Sequence, residues 1–174
     1  MSGDRRGDIL EAALGLFSAR SFHEVSIHEL FAAAEVSPST FYRFFPNKQA
    51  LFNELCRSLL RRVNGYLVEA GSIEEPDPRK RFTAIWWALP RLGREVPMSL
   101  GFLMRVDPKL LDEENRRGFF PPAGLVEVLA PLQAALVWGT FTALLRLAEI
   151  HDQPISMEDF KASERLCWAA LSAA

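Results

Sequence analysis

The sequence predicts an all-α protein, and three observations carry that reading. Apolar residues recur at three- and four-residue spacing along most of the 174 positions, the period of a helix with one buried face. Alternating apolar and polar stretches, the mark of a half-buried strand, are short throughout. Helix-start signals, a Ser, Asn or Asp ahead of a Glu or Pro, divide the chain at intervals. Hydrophobic residues make up 49% and charged ones 24%, enough apolar surface to close a core, which excludes a disordered chain. No apolar run reaches the length of roughly 18 residues that marks a membrane span.

The first helix is read at about residues 5–19, with Ile9, Ala13, Leu16 and Phe17 on one stripe. Phe22 and Val25 then pack a short connector. Ser26-Ile27-His28-Glu29 is a capping box that opens a second helix, whose Ile27, Leu30, Phe31 and Ala34 turn inward. That helix ends at Glu35-Val36, because Ser37-Pro38 opens a third. Ser37 caps it, and Pro38 takes the first position, where a missing N–H does no harm. Pro46 closes this short helix near Phe44, and Asn47 caps a fourth from Lys48 to about Gly71. The brief junction between the second and third helices is helix-turn-helix geometry.

Ser72 to Pro78, with Glu74, Glu75, Pro76 and Asp77 in a row, reads as a linker. Beyond it helices are expected at about 79–94, which Pro90 should kink or end, at 99–106, and from Asp107-Pro108 to about Arg117. Gly118 and Pro121-Pro122 break the chain again. Two last helices are expected near 123–151, interrupted at Pro131, and near 157–173, capped by Ser156. Both carry two apolar stripes. Leu132, Leu136, Ala143, Leu147 and Ile150 make one, and Ala135, Trp138, Thr142 and Leu145 the other. Phe160, Cys167 and Leu171 stand opposite Ala162, Leu166, Ala169 and Ala173. One stripe suits the chain's own core and the other a partner.

A helix that reads DNA is short and presents small polar and basic groups to base edges. Residues 38–44 offer Ser39, Thr40 and Arg43 on one face, while Phe41 and Phe45 turn inward. Arg43 can grip a guanine with two parallel N–H groups; Ser39 and Thr40 accept several bases. Ser26 and Lys48 stand at helix starts, where free N–H groups and the dipole favour an anion. With the Tyr42 phenol they suit phosphate oxygens. Ser26 and Ser37 are equally explained as caps alone, Lys48 as a solvated lysine, and Tyr42 as a core aromatic with its hydroxyl at the surface. Residues 1–65 hold 8 Lys and Arg against 7 Asp and Glu, a net of +1, within a chain of net −2. Any DNA binding is therefore local, with a shallow salt dependence for one protomer.

Ile-Leu-x-Ala-Ala-x-x-Leu-Phe at 9–17, Ser26-Ile27-x-x-Leu30, Ala34-x-Val36-Ser37, Thr40-Phe41-Tyr42-Arg43-x-Phe45 and Asn47-Lys48-x-x-Leu51 together resemble the TetR family of bacterial transcriptional regulators. The resemblance covers about the first 55 residues. It implies a helix-turn-helix DNA-binding domain at 1–50, joined by a long helix to a helical effector-binding and dimerisation domain at 51–174. It further implies a ligand-responsive repressor that binds a near-palindromic DNA operator as a homodimer, packed through 131–151 and 157–173. The DNA contacts it implies fall on Ser26, Ser37, Ser39, Thr40, Tyr42, Arg43 and Lys48. Phe82, Trp86, Phe102, Met104, Trp138 and Phe141 would line a cavity for a small apolar or aromatic effector, although each alone is equally a core residue. Three positions depart from the family's habit: Ser21 and Glu35 stand where Gly is usual, and Phe44 where His or Tyr is common. A non-Gly residue with positive φ costs on the order of 1 kcal/mol, so Glu35 either bears that strain or the turn differs.

Neither a cofactor nor a metal is expected. Cys56 and Cys167 are too far apart in sequence for a metal or redox motif and read as thiols of a reducing compartment. His23-Glu24 precedes His28 by five residues, not the four of a zinc protease. No Gly-x-Gly phosphate loop or Gly-x-Ser-x-Gly elbow occurs, so an all-α enzyme is the weakest of the alternatives. A helical adaptor that has lost operator binding is another, favoured by Glu35, Phe44 and the weak charge. The segment from Met1 to Asp8 has Arg5 and Arg6 but no apolar leader core; the expectation is a cytoplasmic protein with no membrane segment.

Overall fold

The regular structure is wholly helical among the residues that the computed structural model describes, which are 4–71, 76–95, 97–122, 126 and 129–173. The helices are α1 (Arg5–Ala19), α2 (Ile27–Ala33), α3 (Pro38–Phe44), α4 (Lys48–Gly71), α5 (Pro78–Glu95), α6 (Pro97–Arg105), α7 (Glu113–Arg117), α8 (Pro131–His151) and α9 (Met157–Ser172). A 3₁₀ turn, Pro108–Leu110, stands before α7. Side-chain caps fix most of the starts. Ser26 accepts the Glu29 N–H at 3.2 Å, Ser37 that of Thr40 at 3.2 Å, Asn47 that of Ala50 at 2.8 Å, and Ser156 that of Asp159 at 3.0 Å. Each satisfies a donor that a first helical turn otherwise leaves open.

Three expected boundaries move. Pro90 does not end α5, which runs on to Glu95; only the bond to the carbonyl four residues back is lost. The helix expected from Pro108 to Arg117 is split, because Asp112 breaks away to cap α7 by accepting the Asn115 N–H at 2.8 Å. The break expected at Pro131 falls at 129–130, and Pro131 itself opens α8. The stretch expected to precede it at 123–130, and the linker at 72–75, lie wholly or partly outside the described residues.

The chain forms two compact units, Met1–Leu59 with Val96–Arg116, and Leu60–Glu95 with Arg117–Ala174. Compactness thus groups the chain differently from a contiguous division at residue 50, because α6 packs on α1. In the first unit, Ile9, Ala13, Leu30, Phe41, Leu51 and Leu55 are buried together with Phe102 and Leu103 of α6. A buried polar network fastens α4 to the chain around α7. Asn53 accepts the Asp112 N–H at 2.8 Å, and Asn115 donates to the Asn53 carbonyl at 2.9 Å. Arg57 bridges Glu54 at 2.7 Å, Asp112 at 3.1 Å and Glu114 at 3.1 Å, while Arg6 of α1 reaches Glu54 at 2.8 Å.

The second unit closes around Phe82, Ile85, Trp86, Trp138, Phe141 and Phe160, all buried. Trp86 packs on Phe160 at 5.2 Å between ring centroids, and Phe82 on Trp168 at 5.4 Å. Glu164 is only 7% exposed, and such a carboxylate needs partners. It accepts from Thr83 at 3.1 Å and pairs with Arg79 at 3.0 Å, which ties α9 to α5.

Glu35 does bear the expected strain: its φ is +51°. Glu35→Gly should therefore raise stability by about 1 kcal/mol in urea unfolding, whereas Glu35→Ala gains nothing because its Cβ keeps the clash. An equal gain from Ala would show that the charge, not the conformation, is at fault.

Candidate nucleic-acid interface

The site grows from the way α3 is held. Phe31 of α2 meets Phe41 at 4.9 Å, and Phe41 meets Phe45 at 5.9 Å; Phe41 and Phe45 are buried. With the inner face of α3 committed to this aromatic core, its other residues turn outward. The junction from Ala34 to Ser37 is made tight by Val36 donating to the Phe31 carbonyl at 3.1 Å and Glu35 to that of Ala32 at 3.2 Å. Turning the chain there requires the left-handed residue at Glu35.

Ser39, Tyr42 and Arg43 are exposed, and Thr40 is half-buried. Tyr42 lies edge-on to Phe31 and Phe41, with 49% of its surface open, so its body is anchored and its hydroxyl is free to reach outward. The Arg43 guanidinium sits over the Phe44 ring, 4.9 Å from its centroid. Phe44, read from sequence only as a lost polar group, supplies a shelf that orients this arginine. At the head of α3, Ser37 Oγ stands 3.0 Å from Ser39 Oγ and 3.0 Å from Thr40 Oγ1. These hydroxyls satisfy one another, and any of them that meets a base exchanges a local partner for it.

Lys48 is placed differently from a solvated lysine. Its Nζ donates to the carbonyls of Phe22 at 2.8 Å and Val25 at 2.7 Å, and lies 4.3 Å from the centre of the Phe22 ring. An ammonium has three donors, and two of them hold the connector between α1 and α2. No sequence signal could reveal this, since the acceptors are backbone atoms 26 and 23 residues away.

The same connector delivers Ser26 to the start of α2. Glu29 accepts the Ser26 N–H at 2.8 Å and pairs with Arg20 at 2.7 Å. The Ser26 backbone N–H, then the Ser26 side chain and the Arg20 guanidinium, pull the Glu29 carboxyl from its ordinary 4.5 down to about 2. Ser26 and Ser37 thus both act as caps, and both are exposed beside α3 or at the start of α2.

The six residues expected around a ligand are divided between the two compact units. Phe82, Trp86, Trp138 and Phe141 belong to the second compact unit, Phe102 and Met104 to the first, because α6 carries its apolar face to α1. Phe82 borders a cavity of about 250 Å³ with Gln133 and Trp168. Phe102 lines a groove of about 470 Å³ with Phe17 and Phe22. Among the described residues no group of acidic, His and Cys side chains could hold a metal ion, and no helix is long and apolar enough to cross a membrane.

Residues 9–55 match the family described as bacterial regulatory proteins, tetR family. The chain is 26% identical over 134 residues to the HTH-type transcriptional regulator YdgC of Bacillus subtilis (strain 168), covering 67% of this chain and 69% of that protein. It is 32% identical over 77 residues to the HTH-type transcriptional regulator EthR of Mycolicibacterium smegmatis, covering 44% of this chain and 36% of that one. Its fold is similar to the crystal structure of a TetR family transcription regulator from Marinobacter aquaeolei VT8, with a TM-score of 0.76 and 18% identity over 95% of this chain and 94% of that one.

The depressed carboxyl at Glu29 makes a signed prediction. A carboxyl whose pKa falls on folding contributes stability above its unfolded value and loses it as pH falls toward its folded value. Between pH 4.5 and 2 the native protein should therefore lose melting temperature more steeply than Glu29→Gln. Parallel curves from a thermal melt series would mean that the capping box contributes no pH dependence.

Proposed function

We propose that this chain is a DNA-binding transcriptional regulator of the TetR family, as the match of residues 9–55 and the two relatives support, and that it acts as a cytoplasmic homodimer on a near-palindromic operator and releases it when a small apolar or aromatic effector binds. The observation that carries the DNA reading is α3. It is a seven-residue helix whose inner face is locked in phenylalanine and whose outer face presents Ser39, Tyr42 and Arg43. In this reading Arg43, with Ser39 and Thr40, meets base edges, and Tyr42, Ser26 and Ser37 lie against phosphate oxygens. Lys48 acts mainly by holding the α1–α2 connector that sets these groups in place.

The homodimer is supported by the way α8 and α9 sort their two apolar stripes. Val137, Trp138 and Phe141, with Phe160 and Cys167, are buried. The opposite faces leave Leu132, Ile150 and Leu166 exposed by 80%, 72% and 73%. Large aliphatic side chains in such a row favour a partner over water. A two-fold dimer places two copies of α3 in successive major grooves, which calls for an inverted repeat. The effector is supported more modestly, by the cavity beside Phe82. Release of DNA requires that the effector prefer the conformation that binds DNA poorly. Repression follows the habit of the family.

Selection from a randomised duplex pool at low salt should recover an inverted repeat. Arg43→Ala should relax the preference at one position of each half-site, at a cost of about 1–3 kcal/mol. No enriched sequence would overturn the operator reading and favour an adaptor. An unaltered sequence preference for Arg43→Ala would overturn the assignment of that residue. The double substitution Ile150→Glu and Leu166→Glu should convert a dimer to a monomer in sedimentation equilibrium; an unchanged mass would place the interface elsewhere.

A further inference from the structure

Arg43 does not stand alone on the outer face of α3. Its guanidinium carbon lies over the ring of Phe44, 4.9 Å from the ring centre. Phe44 is the last residue of the helix and only half-buried, so part of its ring stays open beside the guanidinium. An arginine that grips a guanine through O6 and N7 lies in the plane of that base. The ring on which the guanidinium rests then stands out of that plane, toward the neighbouring base pair, which is about 3.4 Å away along the groove. Phe44 thus meets the pair that adjoins the guanine.

The chemistry around Phe44 decides what it can read there. A phenylalanine side chain has no hydrogen-bonding group, and the apolar feature on the major-groove edge of a base pair is the thymine 5-methyl. Arg6 and Asn47, which border the same hollow as Phe44 and Pro46, are committed to the protein. Arg6 pairs with Glu54 at 2.8 Å, and Asn47 Oδ1 accepts the Ala50 N–H at 2.8 Å. We propose, resting on the reading of α3 as the helix that enters the major groove, that Arg43 and Phe44 together read one step of the operator: a guanine beside an A·T pair whose thymine methyl lies on the Phe44 ring. Phe44 is then a specificity-determining residue, and each half-site carries guanine and thymine in adjoining pairs.

The test uses duplexes selected by the native full chain, in which the guanine position is the one whose preference Arg43→Ala loses. A pair beside it is expected to be A·T. Replacing its thymine by uracil in one half-site removes the methyl alone, and should weaken binding by the native chain about fourfold in fluorescence anisotropy, the effect of one buried methyl group. With a G·C pair in its place, 5-methylcytosine should bind more tightly than cytosine by a similar factor. Phe44→Ala should bind the thymine and uracil duplexes equally, whereas Phe44→Leu, which keeps an apolar side chain, should still prefer thymine. The uracil comparison on the native chain needs no variant, so it decides the matter even if Phe44→Ala does not fold. Failure to enrich any sequence, or an unaltered preference in Arg43→Ala, would overturn the reading of α3 and this proposal with it. An inverted repeat without an A·T pair beside that guanine, equal affinity of the native chain for thymine and uracil, or a thymine preference retained by Phe44→Ala would leave the operator reading standing and overturn the proposal alone.

Discussion

The contact on which the helix-turn-helix depends is the Lys48 ammonium, held by the carbonyls of Phe22 and Val25 over the Phe22 ring. The connector between α1 and α2 has no helical ladder to satisfy its own carbonyls, and a partly buried carbonyl without a donor is costly. Lys48 supplies the donors from the first residue of α4. This fixes where Ser26 begins α2, and through the Phe31–Phe41 contact it fixes the bearing of α3. Arg20 and Glu29 brace the same corner from the other side. The outward face of α3 is thus a consequence of packing beneath it and of polar contacts behind it.

Two departures from the family's habit acquire physical meaning from this arrangement. Glu35 holds the left-handed turn at an energetic penalty that glycine would avoid, so the turn is set by the packing on either side of it. Phe44 gives up a polar group and supports Arg43 in its place. In the proposed function a weakly charged unit suffices, because one arginine on an aromatic shelf is better oriented than several free ones, and orientation is what base recognition needs.

The helices were legible in the sequence wherever a cap and a periodic apolar face agreed, as at Ser26, Ser37, Asn47 and Ser156. Legibility failed where a long-range partner decided the outcome. Asp112 breaks the helix expected after Pro108 because Asn53 and Arg57, far away in the chain, hold it. Pro90 remains helical because Leu89 and Leu92 on either side are fully committed to the core. On α3, the outward placing of Ser39 and Arg43 was legible from the phase of the helix alone. The second role of Lys48 was not, since backbone acceptors leave no trace in composition or spacing. Phe102 and Met104 fall in a different unit from Phe82 and Trp86 for a related reason: periodicity shows that a helix has an apolar face, not which element covers it.

The role of the connector is tested most directly by the salt dependence of operator affinity for Lys48→Met against the native chain. If Lys48 acts through the connector, affinity falls while the slope of log affinity against log salt stays the same. If instead its ammonium rests on a phosphate, the slope becomes shallower by about 1 per protomer, and the connector loses its central role in placing α3.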